Sequence, residues 1–138
     1  MSTSEVFDFS TRSDQTDDMT DIEELLSHYL AVWNDIDPAR RSAEIERLWA
    51  ADATYANAQS EYHGHEQIAR GITRSHDAWV GTGHKFVPAG TAATHHNTAR
   101  FVWNMIGPDG GDPISTGTNF MTFSASGLIT GDYQYLDK

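Results

Sequence analysis

The chain has 138 residues, no cysteine, and 9 Lys and Arg against 20 Asp and Glu, a formal net charge of −11. The missing thiols exclude disulfide staples and thiolate metal sites. The charge argues against duplex nucleic acid and anionic membranes, which are bound through Lys and Arg. With no basic, apolar leader and no bilayer-length apolar run, the sequence reads as one soluble, acidic, cytoplasmic domain.

Residues 1–19 are rich in Ser, Thr and Asp, and Val6, Phe7 and Phe9 are the bulky apolar side chains ahead of Met19. Such a stretch buries too little surface to offset its ordering entropy, so a disordered acidic tail is expected. Docking of Phe7 and Phe9 on a partner subunit is the alternative. The domain, residues 20–138, is expected to start at Thr20, where Thr20-Asp-Ile-Glu23 forms a capping box. Ile22, Leu25, Leu26, Tyr29, Leu30 and Trp33 follow at helical spacing. Asp37-Pro38 opens a second helix, with Asp as N-cap and Pro in the first turn, and Ile45, Leu48 and Trp49 form its buried face. A strand over Ala53–Ala58 comes next, then a third helix over Glu66–Trp79 closed by Gly81-Thr-Gly83. Beyond it the period changes to two, predicting strands over Lys85–Thr94, Ala99–Ile106, Ile114–Phe123 and Leu128–Leu136. Turn-forming residues lie between them: His96-Asn97, Gly107–Gly111 and Ser126-Gly127.

Three helices followed by an antiparallel meander make an α+β order. A curved antiparallel sheet wrapped around the long first helix would form a cone with one open end. The segment Leu48–Asn57, Leu-Trp-Ala-Ala-Asp-Ala-Thr-Tyr-Ala-Asn, ends a helix and starts a strand with Tyr55 and Asn57 on one face. That helix, Asp-Ala-Thr and a strand with a polar residue resemble the ketosteroid-isomerase-like or nuclear transport factor 2-like superfamily. The superfamily includes SnoaL-like polyketide cyclases and limonene epoxide hydrolases, and the resemblance, to the SnoaL-like branch, covers most of Asp21–Leu136. It implies the same cone, a small-ligand cavity, chemistry without a cofactor, and a homodimer formed through the open sheet face.

The resemblance also places candidate site residues. Tyr29 falls where the isomerases carry an oxyanion-hole tyrosine, which donates to a developing enolate oxygen; a core tyrosine with some polar partner is the plain alternative. Asn57 falls at their aspartate base and Asn119 at their protonated aspartate. Tyr55 and Asn57 match a Tyr-x-Asn pair that positions water in the epoxide hydrolases, whose base aspartate falls at Gln134, close to the catalytic aspartate of the SnoaL-like cyclases. Three family acids thus appear here as amides, which take up no proton at neutral pH. The central Arg-x-Asp of the epoxide hydrolases has no convincing equivalent, and Arg100 falls on the wrong face.

One carboxylate remains. In Ile129-Thr-Gly-Asp-Tyr-Gln-Tyr-Leu136, Asp132 faces the cavity if Gln134 and Leu136 do, by period two; the opposite parity would turn Tyr133 and Tyr135 inward. A carboxylate in an apolar cavity suits general acid or base work. Among the 7 histidines, His84 is the expected cavity liner, with a solvent-facing strand end as its alternative. His63-Gly-His65 and the adjacent His95-His96 lack the spacing for three convergent ligands, so no metal is expected. Trp33 and Trp103 are expected as apolar walls.

Two functions fit. One is a cofactor-independent cyclase, isomerase, dehydratase or hydrolase acting on a small apolar metabolite that carries a carbonyl, enol or epoxide. In it Tyr29 donates to oxygen, Asp132 or His84 moves the proton, and Asn57, Asn119 and Gln134 orient substrate or water. The other is a non-catalytic ligand-binding or dimerisation module.

Overall fold

The computed structural model describes residues 15–137, with side chains from Asp21 onward. Helix α1, Gln15–Asn34, forms the axis. It begins ahead of the expected capping box, so Thr20 lies within the helix, not at its N-cap. The expected tail falls outside the described residues over 1–14, whereas Gln15–Met19 are helical. Ile22, Leu25, Leu26, Tyr29, Leu30, Val32 and Trp33 are buried in the core.

Helix α2, Pro38–Leu48, starts as its sequence dictates: the Asp37 carboxylate accepts from the Ala39 and Arg40 amides, with Pro in the first turn. It stops where Trp49 takes extended backbone (φ −100°, ψ 144°). Strand β1, Trp49–Ala56, therefore starts four residues before the expected Ala53, and Trp49 belongs to the strand. A short strand that the sequence did not reveal, β2 (Glu61–His63), pairs back on β1. Helix α3, Gly64–Ala78, and a 3-10 turn, Val80–Thr82, lead into β3 (Lys85–His95), β4 (Thr98–Ile106), β5 (Ser115–Phe123) and β6 (Ile129–Leu136).

The six strands form one sheet in the order β2-β1-β6-β5-β4-β3. The meander from β3 to β6 is antiparallel as expected, but β1 runs parallel to β6, so the whole sheet is mixed. The α3 crossover separates β1 from the meander and lets the last strand return alongside the first in the same direction. Register breaks between Trp49 and Thr54 in β1 and between Ala89 and Ala93 in β3, where Gly90 has φ +72°, bend the sheet. Gly117 serves the same packing. A Cβ there would lie 2.2 Å from the Trp103 ring on the neighbouring strand, so only glycine lets that indole lie across β5. The amide of Asn34 clamps the end of α1 to β3, donating to the Phe86 carbonyl and accepting from the Phe86 amide, both at 2.8 Å.

The inner face packs on α1, while Phe120, Tyr133 and Tyr135 are exposed on the opposite face. No described helix is long and apolar enough to cross a membrane.

Candidate functional site

Strand alternation delivers Asp132 from β6 and Asn119 from β5 to the inner face, where Tyr29 of α1 meets them. All three are buried, Asp132 fully. The Tyr29 hydroxyl donates to Asp132 Oδ2 at 2.6 Å. Asn119 Nδ2 donates to Asp132 Oδ1 at 2.7 Å and to the Tyr29 oxygen at 3.1 Å. The Trp103 indole N–H donates to Asn119 Oδ1 at 2.8 Å. An indole can only donate, so this bond fixes which end of the Asn119 amide is oxygen and turns its NH2 toward Tyr29 and Asp132.

Burial pushes the Asp132 carboxyl up to about 7, against the opposing pull of the bonds from Tyr29 and Asn119. Neutral donors stabilise the carboxylate less than a cation would, so desolvation wins. Burial and the adjacent Asp132 together raise the Tyr29 phenol well above its ordinary range. The Trp33 indole N–H is buried with no hydrogen-bond partner. It lies close enough to Tyr29 to oppose that rise slightly.

A second cluster sits further out. The Tyr55 hydroxyl donates to Gln134 Oε1 at 3.1 Å and accepts from Asn57 Nδ2 at 3.3 Å. Asn57 Oδ1 accepts from the Gln59 and Ser60 amides, so Asn57 also builds the β1–β2 turn. Tyr62 stacks on Tyr55 with ring centroids 5.8 Å apart. A Cβ on Gly71 would lie 3.0 Å from the Tyr62 ring, so glycine lets α3 approach closely. The cluster contains no carboxyl, and burial raises the Tyr55 phenol pKa.

Both clusters border a cavity of about 350 Å³ lined by Tyr29, Trp33, Trp103, Asn57 and Gln134 together with residues of α3. Tyr55, Asn119 and Asp132 stand behind this lining. Tyr29 thus separates the carboxyl from the open space. Asp132 has the inward parity, and Tyr133 and Tyr135 are exposed. A larger cavity of about 500 Å³ between α1 and β3 is lined mainly by Leu26, Leu30, Phe86, Pro88 and Phe101. It touches neither cluster, so the smaller space is the candidate site.

His84 is a correction. It does not line the cavity. Its Nδ1 lies 3.1 Å from Thr82 Oγ1 and 3.2 Å from the Trp79 carbonyl, with its ring edge-on to Trp79. The 3-10 turn folds the histidine back on the end of α3, and the solvent-facing alternative describes it better. Arg100 is exposed on β4, away from the site. Among the described residues no three His, Asp or Glu side chains are grouped to hold a metal ion; His63 meets Thr54 and His65 meets the Trp49 carbonyl. Sequence reasoning missed the α3 wall, Gly71, Arg74, Ser75 and Ala78. Their helical spacing is visible in the sequence, but nothing local says which face of α3 meets the cavity.

The match to the SnoaL-like domain model spans residues 26–131. The chain belongs to the SnoaL-like family. A proposed isomerase of that family from Agrobacterium tumefaciens is 32% identical, with a TM-score of 0.81, covering 87% of this chain and 100% of its own. A proposed polyketide cyclase from Sinorhizobium meliloti is 18% identical, with a TM-score of 0.64 and 84% and 97% covered. An NTF2-like protein of unknown function from Mesorhizobium loti is 18% identical, with a TM-score of 0.61 and 92% and 98% covered. At that identity the last two share the fold alone. No curated protein matches the chain in sequence.

Proposed function

We propose that this SnoaL-like protein is a cofactor-independent acid–base enzyme. It isomerises, cyclises or dehydrates a small, largely apolar metabolite carrying a carbonyl or enol. The observation that carries this reading is a buried carboxyl, Asp132, joined through the Tyr29 hydroxyl to an apolar cavity. With its pKa pushed up to about 7, Asp132 can both take and return a proton near neutral pH.

Hydrogen-bond direction suggests how. With Asp132 ionised, the Tyr29 proton is committed to Oδ2 and its oxygen accepts from Asn119, leaving one lone pair for the cavity. A substrate proton moves onto the Tyr29 oxygen as the Tyr29 proton moves onto Asp132 Oδ2. The relay is net transfer of one proton, and Tyr29 is neutral before and after. With Asp132 protonated, its own hydrogen points at the Tyr29 oxygen, and the Tyr29 hydrogen is free to donate into the cavity. Running the relay backwards returns the proton at a second substrate atom, and the charge state of Asp132 decides whether Tyr29 accepts or donates. The outer cluster orients the ligand, since amides recognise polar groups without titrating. Epoxide hydrolysis at Tyr55 and Asn57 is less well supported, because Gln134 offers no base there.

Residues 20–138 as one domain, and a homodimer through the face bearing Phe120, Tyr133 and Tyr135, belong to the same proposal. A non-catalytic binding module is the second reading, favoured by Asp132 standing behind the cavity lining. Native mass spectrometry of the purified protein against metabolite pools identifies a ligand, and turnover of that ligand by wild type and Asp132→Asn separates the readings. Equal turnover removes Asp132 from the mechanism, and a ligand bound but never converted establishes the binding module.

A further inference from the structure

The cavity rim carries a charge that the acid–base reading does not use. Its lining contains Arg74 and no Asp, Glu, Lys or His, although acids outnumber bases 20 to 9 in the chain. The lining grades from buried Tyr29, Trp33 and Trp103 at the floor to exposed Gln59, Arg74 and Ala78 at the rim, with Trp79 exposed beside them. Among the described residues Arg74 makes no hydrogen bond or ion pair. The other arginines of the helices behave differently. Arg40, Arg47 and Arg70 pair with Asp35, Glu44 and Glu66, and Arg41 bonds the Asp35 carbonyl and Thr73. On α3, Arg74 has Arg70 four residues before it and Ala78 four after, so the usual i,i+4 acid is missing. Asp77, three residues on, lies against His76 instead.

Resting on the reading of this cavity as the ligand site, we propose that the ligand is an organic anion. Its apolar body fills the floor, and a terminal anionic oxygen group, such as a carboxylate, is bound by Arg74 at the rim. A guanidinium presents a planar fork of donors suited to such oxygens. The Ser75 hydroxyl, next to Arg74 in the lining, adds a neutral donor. In a chain of net charge −11, an anion meets overall repulsion, and a local unpaired cation selects where it enters. The substrate would then be fixed at both ends, with its anion at Arg74 and its reacting carbonyl or enol at Tyr29.

The test uses two fluorescent probes that differ chiefly by one sulfonate: anionic 1-anilinonaphthalene-8-sulfonate and neutral N-phenyl-1-naphthylamine. Binding is titrated on the full chain and on Arg74→Gln and Ala78→Trp, the latter filling the rim at an exposed helix position. The expected result is that Arg74→Gln weakens the anionic probe roughly 2- to 5-fold, the range for an exposed charge pair. The neutral probe changes less than twofold, Ala78→Trp weakens both, and added salt weakens only the anionic probe on wild type. If Ala78→Trp weakens both probes but Arg74→Gln weakens neither selectively, the anion assignment is overturned and the cavity reading survives. If neither probe binds, or Ala78→Trp changes nothing, the cavity reading itself falls and the anion assignment with it.

Discussion

The two clusters beside the cavity are near-copies that differ in one proton-binding group. The inner one joins a tyrosine, an asparagine and a carboxyl, Tyr29, Asn119 and Asp132; the outer one joins a tyrosine, an asparagine and an amide, Tyr55, Asn57 and Gln134. Asp132 and Gln134 lie two residues apart on β6, so both face inward and only depth separates them. Depth decides the chemistry. The carboxyl sits where water is excluded and its charged form is disfavoured, whereas Gln134 sits partly exposed. On the proposed function, the inner cluster titrates and the outer one recognises the ligand.

Removing the titrating group is the most damaging way to break this contrast. Asp132→Asn keeps the shape, and its amide can donate to the Tyr29 oxygen as the protonated acid does. The expected loss in kcat on an identified ligand is about 10²- to 10⁴-fold, the usual contribution of a positioned acid or base. Gln134→Met should instead act mainly on KM, by about tenfold or less, because it removes recognition and leaves the relay. Steady-state kinetics on both variants checks this; equal kcat losses would erase the distinction between the clusters.

The same substitution should leave an opposite mark on stability. The Asp132 carboxyl has a pKa of about 7 in the fold and near 4 unfolded. Below about pH 4 both states hold the proton and the contribution is fully present. Between about 4 and 7 the folded state keeps a proton that the unfolded chain releases, so stability falls as pH rises, by up to about 1.4 kcal/mol per unit. Above about 7 the loss is complete. Asp132→Asn has no such window, so it should match wild type near pH 4 and exceed it at pH 8 by on the order of 4 kcal/mol. Asp35 and Glu44, lowered by Arg40 and Arg47, work in the other direction and are common to both proteins, so the difference curve isolates Asp132. Thermal unfolding between pH 4 and 8 measures it, and parallel curves would mean that Asp132 is not titrating in this range.

The sequence revealed these parts unequally. The helices and the meander were legible because hydrophobic period and turn residues act locally, as at Asp37-Pro38 and Gly107–Gly111. Period two narrowed Asp132 to two parities, and the fold takes the inward one. What stayed hidden depends on distant partners. Strand β2 is three residues paired with β1, and the parallel β1–β6 contact joins that strand pair to the meander, bringing together residues about 80 positions apart. The Trp103–Asn119 bond, which orients the inner cluster, needs Gly117 to admit the indole, and nothing local predicts that pairing. His84 misled for a related reason: its strand-entrance position suggested the cavity, but the turn that folds it onto Trp79 is a tertiary arrangement.

The smallest expected effects on stability come from deleting one hydroxyl in each cluster. Tyr29→Phe removes the donor to Asp132 Oδ2 and the acceptor for Asn119 Nδ2, leaving both buried groups short of a partner. Unmet buried polar groups cost about 1–3 kcal/mol, although at low pH a protonated Asp132 partly relieves the loss. Tyr55→Phe removes the partner of Gln134 and Asn57, but Gln134 reaches the cavity and can bond water instead. Its cost should stay below about 1 kcal/mol, with little pH dependence. Denaturant unfolding of the two variants at pH 5 and 8 compares them. A Tyr55→Phe loss as large and as pH-dependent as that of Tyr29→Phe would mean that the outer cluster is as dry as the inner one, and depth would no longer explain why one carries an acid and the other an amide.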